Sequence, residues 1–110
     1  MITPDELEEL RVVCHGANPV TDGPLQLVHL PKLRLQTDGR EVEVSEALLC
    51  LSQHAGYSTR LYLSQPFPNK CQNWTAHTIL GRAWHACSWQ GVPQSHRPAQ
   101  ILAQHLKALR

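Results

Sequence analysis

Leu25, Leu27 and His29, followed by Leu33 and Leu35, alternate with other residues at the two-residue period of a β-strand, with an interruption at Pro31. Thr37-Asp38-Gly39-Arg40 then reads as a tight hairpin, because Asp-Gly tolerates the positive φ that such turns require. A second strand is predicted from Val42 to about Leu51. Val42 and Val44 alternate, after which Ala47-Leu48-Leu49-Cys50-Leu51 is continuously apolar, as in a central strand covered on both faces. His54-Ala55-Gly56-Tyr57 turns the chain again, and Leu61 and Leu63 alternate with Arg60 and Tyr62 in a third strand. The pattern is an antiparallel meander.

On either side of the meander the apolar spacing is helical. Thr3-Pro4-Asp5-Glu6 supplies a hydroxyl cap, a proline at the first helical position and acids at the positive helix end. Leu7, Leu10 and Cys14 give that helix one apolar stripe, and His15-Gly16-Ala17-Asn18-Pro19 ends it. Near the other end, Ser95 is placed to cap a helix with Pro98 in its first turn, and Ile101, Leu102, His105, Leu106 and Leu109 form its buried side. Between meander and final helix, Pro66, Pro68, Asn69 and Asn73 mark a loop, which leads straight into HTILGRAWHACSW, from His77 to Trp89. The predicted order is helix, antiparallel strands, irregular loop, helix, an α+β layer structure forming one domain over residues 1–110.

Composition narrows the function classes. The net charge is +1, and the lysines and arginines lie singly along the chain, so no basic stripe for nucleic acid is present. No apolar run approaches a membrane span, and the start MITPDELEEL is acidic and polar where a signal peptide is basic and then apolar. The expectation is a cytoplasmic protein with no membrane partner. In that compartment Cys14, Cys50, Cys71 and Cys87 are read as free thiols or ligands before disulfides.

The candidate chemistry is concentrated in the segment from His77 to Trp89. Cys87 is a candidate nucleophile, with His85 or His77 to lower its pKa or move protons; equally, a free cysteine packs as a small hydrophobe. Ser88 is a second hydroxyl nucleophile if a base reaches it. Trp74, Trp84 and Trp89, with the turn Gly81-Arg82, are anchors for a loop that lacks strand hydrogen bonds, each indole N–H needing an acceptor. Cys71, His77, His85 and Cys87 could supply four zinc ligands, but the spacing is loose and contains no C-x2-C pair, so no metal is assigned. His15, His29, His54, His96 and His105 are read as surface or hydrogen-bonded histidines. There is no glycine-rich phosphate loop, G-x-S-x-G elbow or D-x-D pair, and no cofactor is expected.

From Leu48 to Leu109 the chain resembles the bacterial ubiquitin-conjugating-enzyme-like (UBC-like) families found with ubiquitin-like proteins, activating enzymes and deconjugating peptidases. The resemblance rests on LLCLSQHAGYSTRLYLSQP, on LGRAWHACSW, which is similar to a Gly-Arg-x-Trp-x-x-x-Ser stretch, and on RPAQILAQHLKAL. It implies a minimal UBC-like fold, an antiparallel meander with an N-terminal helix and a C-terminal helix packed on the sheet. The implied activity is that of a carrier, an acyl transferase that takes a ubiquitin-like protein from an activating enzyme as a thioester on Cys87 or an oxyester on Ser88 and passes it to a target protein. Asn73, His77 or backbone N–H groups would steady the oxyanion, because the His-Pro-Asn tripeptide of eukaryotic members has no counterpart here. In the bacterial sequences the place of Cys87 is often aromatic and the serine after it recurs. The alternative is a non-catalytic UBC-like module that binds a ubiquitin-like protein or an activating enzyme.

Overall fold

The structure, a computed structural model, describes residues 2–110. Helix α1 spans Pro4–Val13 and starts where the sequence places it: Thr3 Oγ1 accepts from the Glu6 backbone N–H at 3.2 Å, and Glu6 Oε1 accepts from the Thr3 N–H at 2.9 Å. Six antiparallel strands follow: β1 (Asn18–Asp22), β2 (Leu25–Thr37), β3 (Arg40–Cys50), β4 (Arg60–Leu63), β5 (Thr75–Ile79) and β6 (Arg82–Ala86), in the spatial order β1-β2-β3-β4-β6-β5. Helix α2 (Pro98–Leu106) and a 3-10 turn at Lys107–Leu109 close the chain. The fold is therefore α+β, with a six-stranded antiparallel sheet and two helices.

Both helices lie on one face of the sheet. Leu10 from α1 and Ile101 and Leu102 from α2 pack onto Val28, Leu30, Leu33, Leu35, Val44, Ala47, Leu49, Leu61 and Leu63. Arg97 clamps the helices together through Glu9, with Nε 2.9 and 3.0 Å from the two carboxylate oxygens. The interruption of the alternation expected at Pro31 falls one residue later, while β2 runs on through it with its register to β3 unchanged. Lys32 takes a left-handed conformation, φ 52°, and reverses the alternation. Val28 and Leu30 before it, and Leu33 and Leu35 after it, consequently reach the same core. Gly16 lies against this bend; a Cβ there would sit 2.7 Å from Pro31 Cγ, so the helix-to-strand connection needs glycine.

The other face carries a second buried cluster of Leu27, Leu48, Cys50, Tyr62, Ile79, Trp84 and Ala86, which neither described helix covers. Curvature of the sheet encloses it. The Leu80 N–H at the β5–β6 tip donates to Asp22 Oδ2 at the end of β1, 2.8 Å away, so opposite edges of the sheet come together. Arg82 braces the interior, its Nη1 2.8 Å from Glu46 Oε2 and its guanidinium 4.4 Å from the Trp84 ring centre.

The segment from His77 is not an irregular loop but the β5–β6 hairpin, turned by Leu80 and Gly81 at φ 53° and 74°, the conformation of a two-residue hairpin turn. Its Trp84 and Ala86 are strand residues facing the enclosed core. Helix α2 is preceded by Arg97 rather than capped by Ser95, and Gln100 Oε1 accepts from the Arg97 N–H at 3.1 Å.

His105 ties α2 to the sheet. Its Nε2 lies 2.9 Å from Thr59 Oγ1, whose hydrogen goes to the Val92 carbonyl at 2.8 Å, so Nε2 carries the proton given to Thr59. Burial, with the Arg60 charge nearby, pushes the imidazole pKa down to about 4. The denatured chain takes up that proton at about pH 6.5, so stability falls as pH drops from there toward 4, by about 3 kcal/mol for this group. Urea midpoints compared at pH 7 and pH 4 should show a smaller loss in His105→Gln, which keeps a donor for Thr59, than in the wild type; equal losses would contradict the assignment. Trp84→Ala should cost about 3–5 kcal/mol in the same measurement, whereas Val12→Ala, at a side chain 87% exposed, should stay within about 0.5 kcal/mol.

Candidate functional site

β6 ends at Ala86, and the chain continues through Cys87, Ser88 and Trp89 across the end of the sheet. Three contacts hold this exit. The Ser88 N–H donates to the Gln72 carbonyl at 2.8 Å, the Trp89 indole N–H donates to the Gln104 carbonyl of α2 at 3.0 Å, and Cys87 is joined to Cys71 by a disulfide with the Cα atoms 6.1 Å apart. The expectation that Cys71 and Cys87 are free thiols is thereby corrected. The loop between β4 and β5 folds back along residues 87 and 88, an approach that compartment arguments from sequence do not contain. Cys14 and Cys50 are free and buried, and burial pushes both thiols up.

Ser88 Oγ accepts a hydrogen bond from the Tyr57 hydroxyl, 3.2 Å away. Tyr57 projects from the turn before β4, where His54 and Tyr57 exchange backbone hydrogen bonds of 3.0 Å around Ala55 and Gly56, at φ 53° and 86°. Behind the phenol lies Arg60, the first residue of β4 and only 4% exposed, with its guanidinium carbon 4.0 Å from the Tyr57 ring centre. Its Nη2 donates to the Cys87 carbonyl at 3.3 Å and its Nη1 lies 3.5 Å from His77 Nε2, while Nε is buried without a partner. Among the described residues, none of its hydrogen-bond partners is a carboxylate. Arg60 is a buried cation shared among Tyr57, the Cys87–Ser88 segment and β5.

The Ser88 hydroxyl, able to donate to the phenolate, and the Arg60 charge hold the Tyr57 pKa below the usual phenol range. Tyr62 responds in the opposite sense: burial raises its pKa to about 12, and its hydroxyl is hydrogen-bonded to His54 Nδ1. Burial, Arg60 and His54 lower the His77 pKa. The Thr75 hydroxyl, 2.8 Å away, and Arg60 both converge on His77 Nε2, which makes that nitrogen the acceptor of a neutral ring.

The sequence-derived candidates are thus divided by the fold. Ser88 and Cys87 are adjacent and half-buried, but Cys87 has no thiolate while it is disulfide-bonded. His77 faces Arg60. His85 pairs with Leu63 across the sheet and alternates with Trp84 and Ala86, so it lies outside the enclosed core; among the described residues no side-chain hydrogen bond joins it to Cys87 or Ser88. Asn73 is exposed in a left-handed conformation, φ 55°, and likewise has no hydrogen bond to Ser88. Trp74 packs on the helix-side core and donates to the Lys70 carbonyl at 2.8 Å; Trp84 donates to the Ile79 carbonyl at 3.0 Å. Gly81 and Arg82 belong to the hairpin. Tyr57 and Arg60 were missed. The one available signal was an arginine at the head of the short apolar strand Arg-Leu-Tyr-Leu; that all four residues are buried is visible only in the fold.

A cleft of about 60 Å³ beside Tyr57 is lined by Gly56, Ser58, Thr59, Gln90, Gly91 and Val92. A groove of about 520 Å³ along β1 and β2 is lined by Pro19, Val20, Pro24, Leu25 and their neighbours, with no titratable side chain in its lining. No group of three or more metal-ligating side chains converges among the described residues, so Cys71, His77, His85 and Cys87 do not form a shared site. No described helix is long and apolar enough to cross a membrane. No family model, characterised protein or solved structure matches the chain.

The disulfide has a direct test. Under denaturing conditions without reductant, titration should find two thiols per chain, and four after reduction; four before reduction would contradict the pairing. Because the bond spans 16 residues of sequence, replacing both Cys71 and Cys87 by serine should cost about 3 kcal/mol of stability.

Proposed function

We propose that the chain is a minimal UBC-like carrier that receives the C-terminus of a ubiquitin-like protein from an activating-enzyme thioester, holds it as an oxyester on Ser88, and passes it to a target protein. The order of elements supports this reading: N-terminal helix, antiparallel meander, a pinned exit segment bearing the nucleophile, and a helix packed on the sheet. The observation that carries it is the Tyr57–Ser88 hydrogen bond on a segment fixed by Gln72, Gln104 and Arg60. A fixed hydroxyl hydrogen-bonded to a phenol, which in its phenolate form can take the serine proton, has the two properties an acyl acceptor needs. Cys87 offers a thioester route only after a dithiol reduces its bond to Cys71. No cofactor is required, because the activating enzyme's thioester supplies the driving force. The apolar groove along β1 favours a second reading, a non-catalytic module that docks a ubiquitin-like protein or activating enzyme there.

Incubation with the cognate activating enzyme, ubiquitin-like protein and ATP, followed by gel electrophoresis, separates these readings. The carrier predicts an adduct cleaved by hydroxide, resistant to dithiothreitol, lost in Ser88→Ala and retained in Cys71→Ser/Cys87→Ser. A dithiothreitol-labile adduct formed only under reducing conditions moves the ester to Cys87. Binding without an adduct in any form of the chain establishes the module.

A further inference from the structure

We infer that Tyr57 is the general base for Ser88 and that Arg60 is the positioning residue that orients and polarises it. The inference rests on Ser88 as the ester-forming atom, and it specifies how that atom becomes nucleophilic.

A serine hydroxyl needs a proton acceptor within hydrogen-bond reach. Among the described residues, the side-chain hydrogen bond to Ser88 Oγ comes from Tyr57 alone. The other candidates are engaged elsewhere: His77 Nε2 faces Thr75 and Arg60, His54 Nδ1 faces Tyr62, and Glu46 is held by Arg82 and His29. The group that faces Tyr57 from β4 is the Arg60 cation, and the segment after β6 presents Ser88 and Gln90 to it. Beyond Arg60 stand His77, His54 and Tyr62, with the His54 ring 6.0 Å from that of His77 and 5.9 Å from that of Tyr62. Two aromatic faces lie near the cation, Tyr57 at 4.0 Å and Tyr62 at 5.7 Å, and the nearer belongs to the residue touching the nucleophile.

In the resting state Tyr57 donates to Ser88. Loss of the phenol proton to solvent gives the phenolate, in which the bond reverses and the Ser88 hydroxyl donates to Tyr57. As Ser88 Oγ bonds to the thioester carbonyl carbon, its proton passes to the Tyr57 oxygen. The C–S bond then breaks, and the departing thiolate takes the proton from Tyr57, so electrons and protons balance without a further reactant. Arg60 stabilises the phenolate from behind and touches no substrate atom.

The purified full chain and a fluorophosphonate probe test this without any ubiquitin-like protein. Ser88 Oγ forms a bond to phosphorus, fluoride leaves, and the serine proton goes to Tyr57. Peptide mass spectrometry reads the labelling rate at Ser88 against pH. The wild type should label at Ser88, with a rate that rises to a plateau below the usual tyrosine range. Tyr57→Phe should slow labelling about 100-fold and remove the rise, Arg60→Met should move the rise to higher pH, and Arg60→Lys should move it part of the way back. Difluorotyrosine at position 57, which lowers the phenol pKa without altering the packing, should move it to lower pH. Equal rates in Tyr57→Phe, no labelling of Ser88 in the wild type, or a rise unmoved by difluorotyrosine would overturn the role of Tyr57. A rate lowered equally at every pH in Arg60→Met would reduce Arg60 to a packing residue. Ser88 labelled as described in a chain that forms no adduct with a ubiquitin-like protein would remove the carrier reading and leave this inference standing.

Discussion

A guanidinium buried without a carboxylate is costly, and the region around Ser88 is organised by the way that cost is met. Moving an unpaired charge out of water costs several kcal/mol even after relaxation. Arg60 recovers part of this through the Tyr57 ring at 4.0 Å and through long contacts of 3.3 Å to the Cys87 carbonyl and 3.5 Å to His77. A desolvated cation–aromatic contact contributes about 2 kcal/mol, so the local partners do not close the balance and the two cores must hold the residue in place. In return, one side chain fixes the turn before β4, the exit of β6 and the middle of β5 relative to one another.

The sheet makes that arrangement possible because it serves two cores at once. Its helix-covered face buries the long leucine rows of β2 and β3, while its other face curls around Trp84 and Tyr62 and is fastened by Asp22 at one edge and Leu80 at the other. β4 lies between them with no exposed residue, and Arg60 sits at its first position, where the enclosed core reaches the sheet end. The Cys71–Cys87 disulfide and the Trp89–Gln104 contact then keep the segment carrying Ser88 from moving off Tyr57.

Strands with a strong alternation and a glycine turn were legible in the sequence: the Asp38-Gly39 hairpin, β3 and β4 stand where their patterns put them, and so does the Thr3 cap of α1. β1 was not, because Asn-Pro-Val-Thr-Asp has one large apolar residue and its stability comes from pairing with β2. The β5–β6 hairpin turns on Leu80-Gly81, which lacks the usual Asn-Gly or Asp-Gly signal. The phase of Leu33 and Leu35 could not be read because one left-handed lysine reverses the alternation. Within the site, residue types were visible and burial was not: Arg60 looked like the polar side of an alternating strand, Tyr57 like a turn residue, and the meeting of Cys71 with Cys87 depends on how the intervening loop folds back.

The chain has two tyrosines, so labelling the tyrosine ring carbon next to the hydroxyl with carbon-13 gives one signal each for Tyr57 and Tyr62. The most direct measurement is their titration by nuclear magnetic resonance in the wild type and in Arg60→Met, a substitution that removes a buried charge while keeping an apolar chain in its place. If Arg60 governs the site, the Tyr57 signal shifts first, below the usual tyrosine range, Tyr62 follows only near pH 12, and Arg60→Met moves Tyr57 upward. Two signals titrating together, or a Tyr57 curve unchanged by Arg60→Met, would contradict the account.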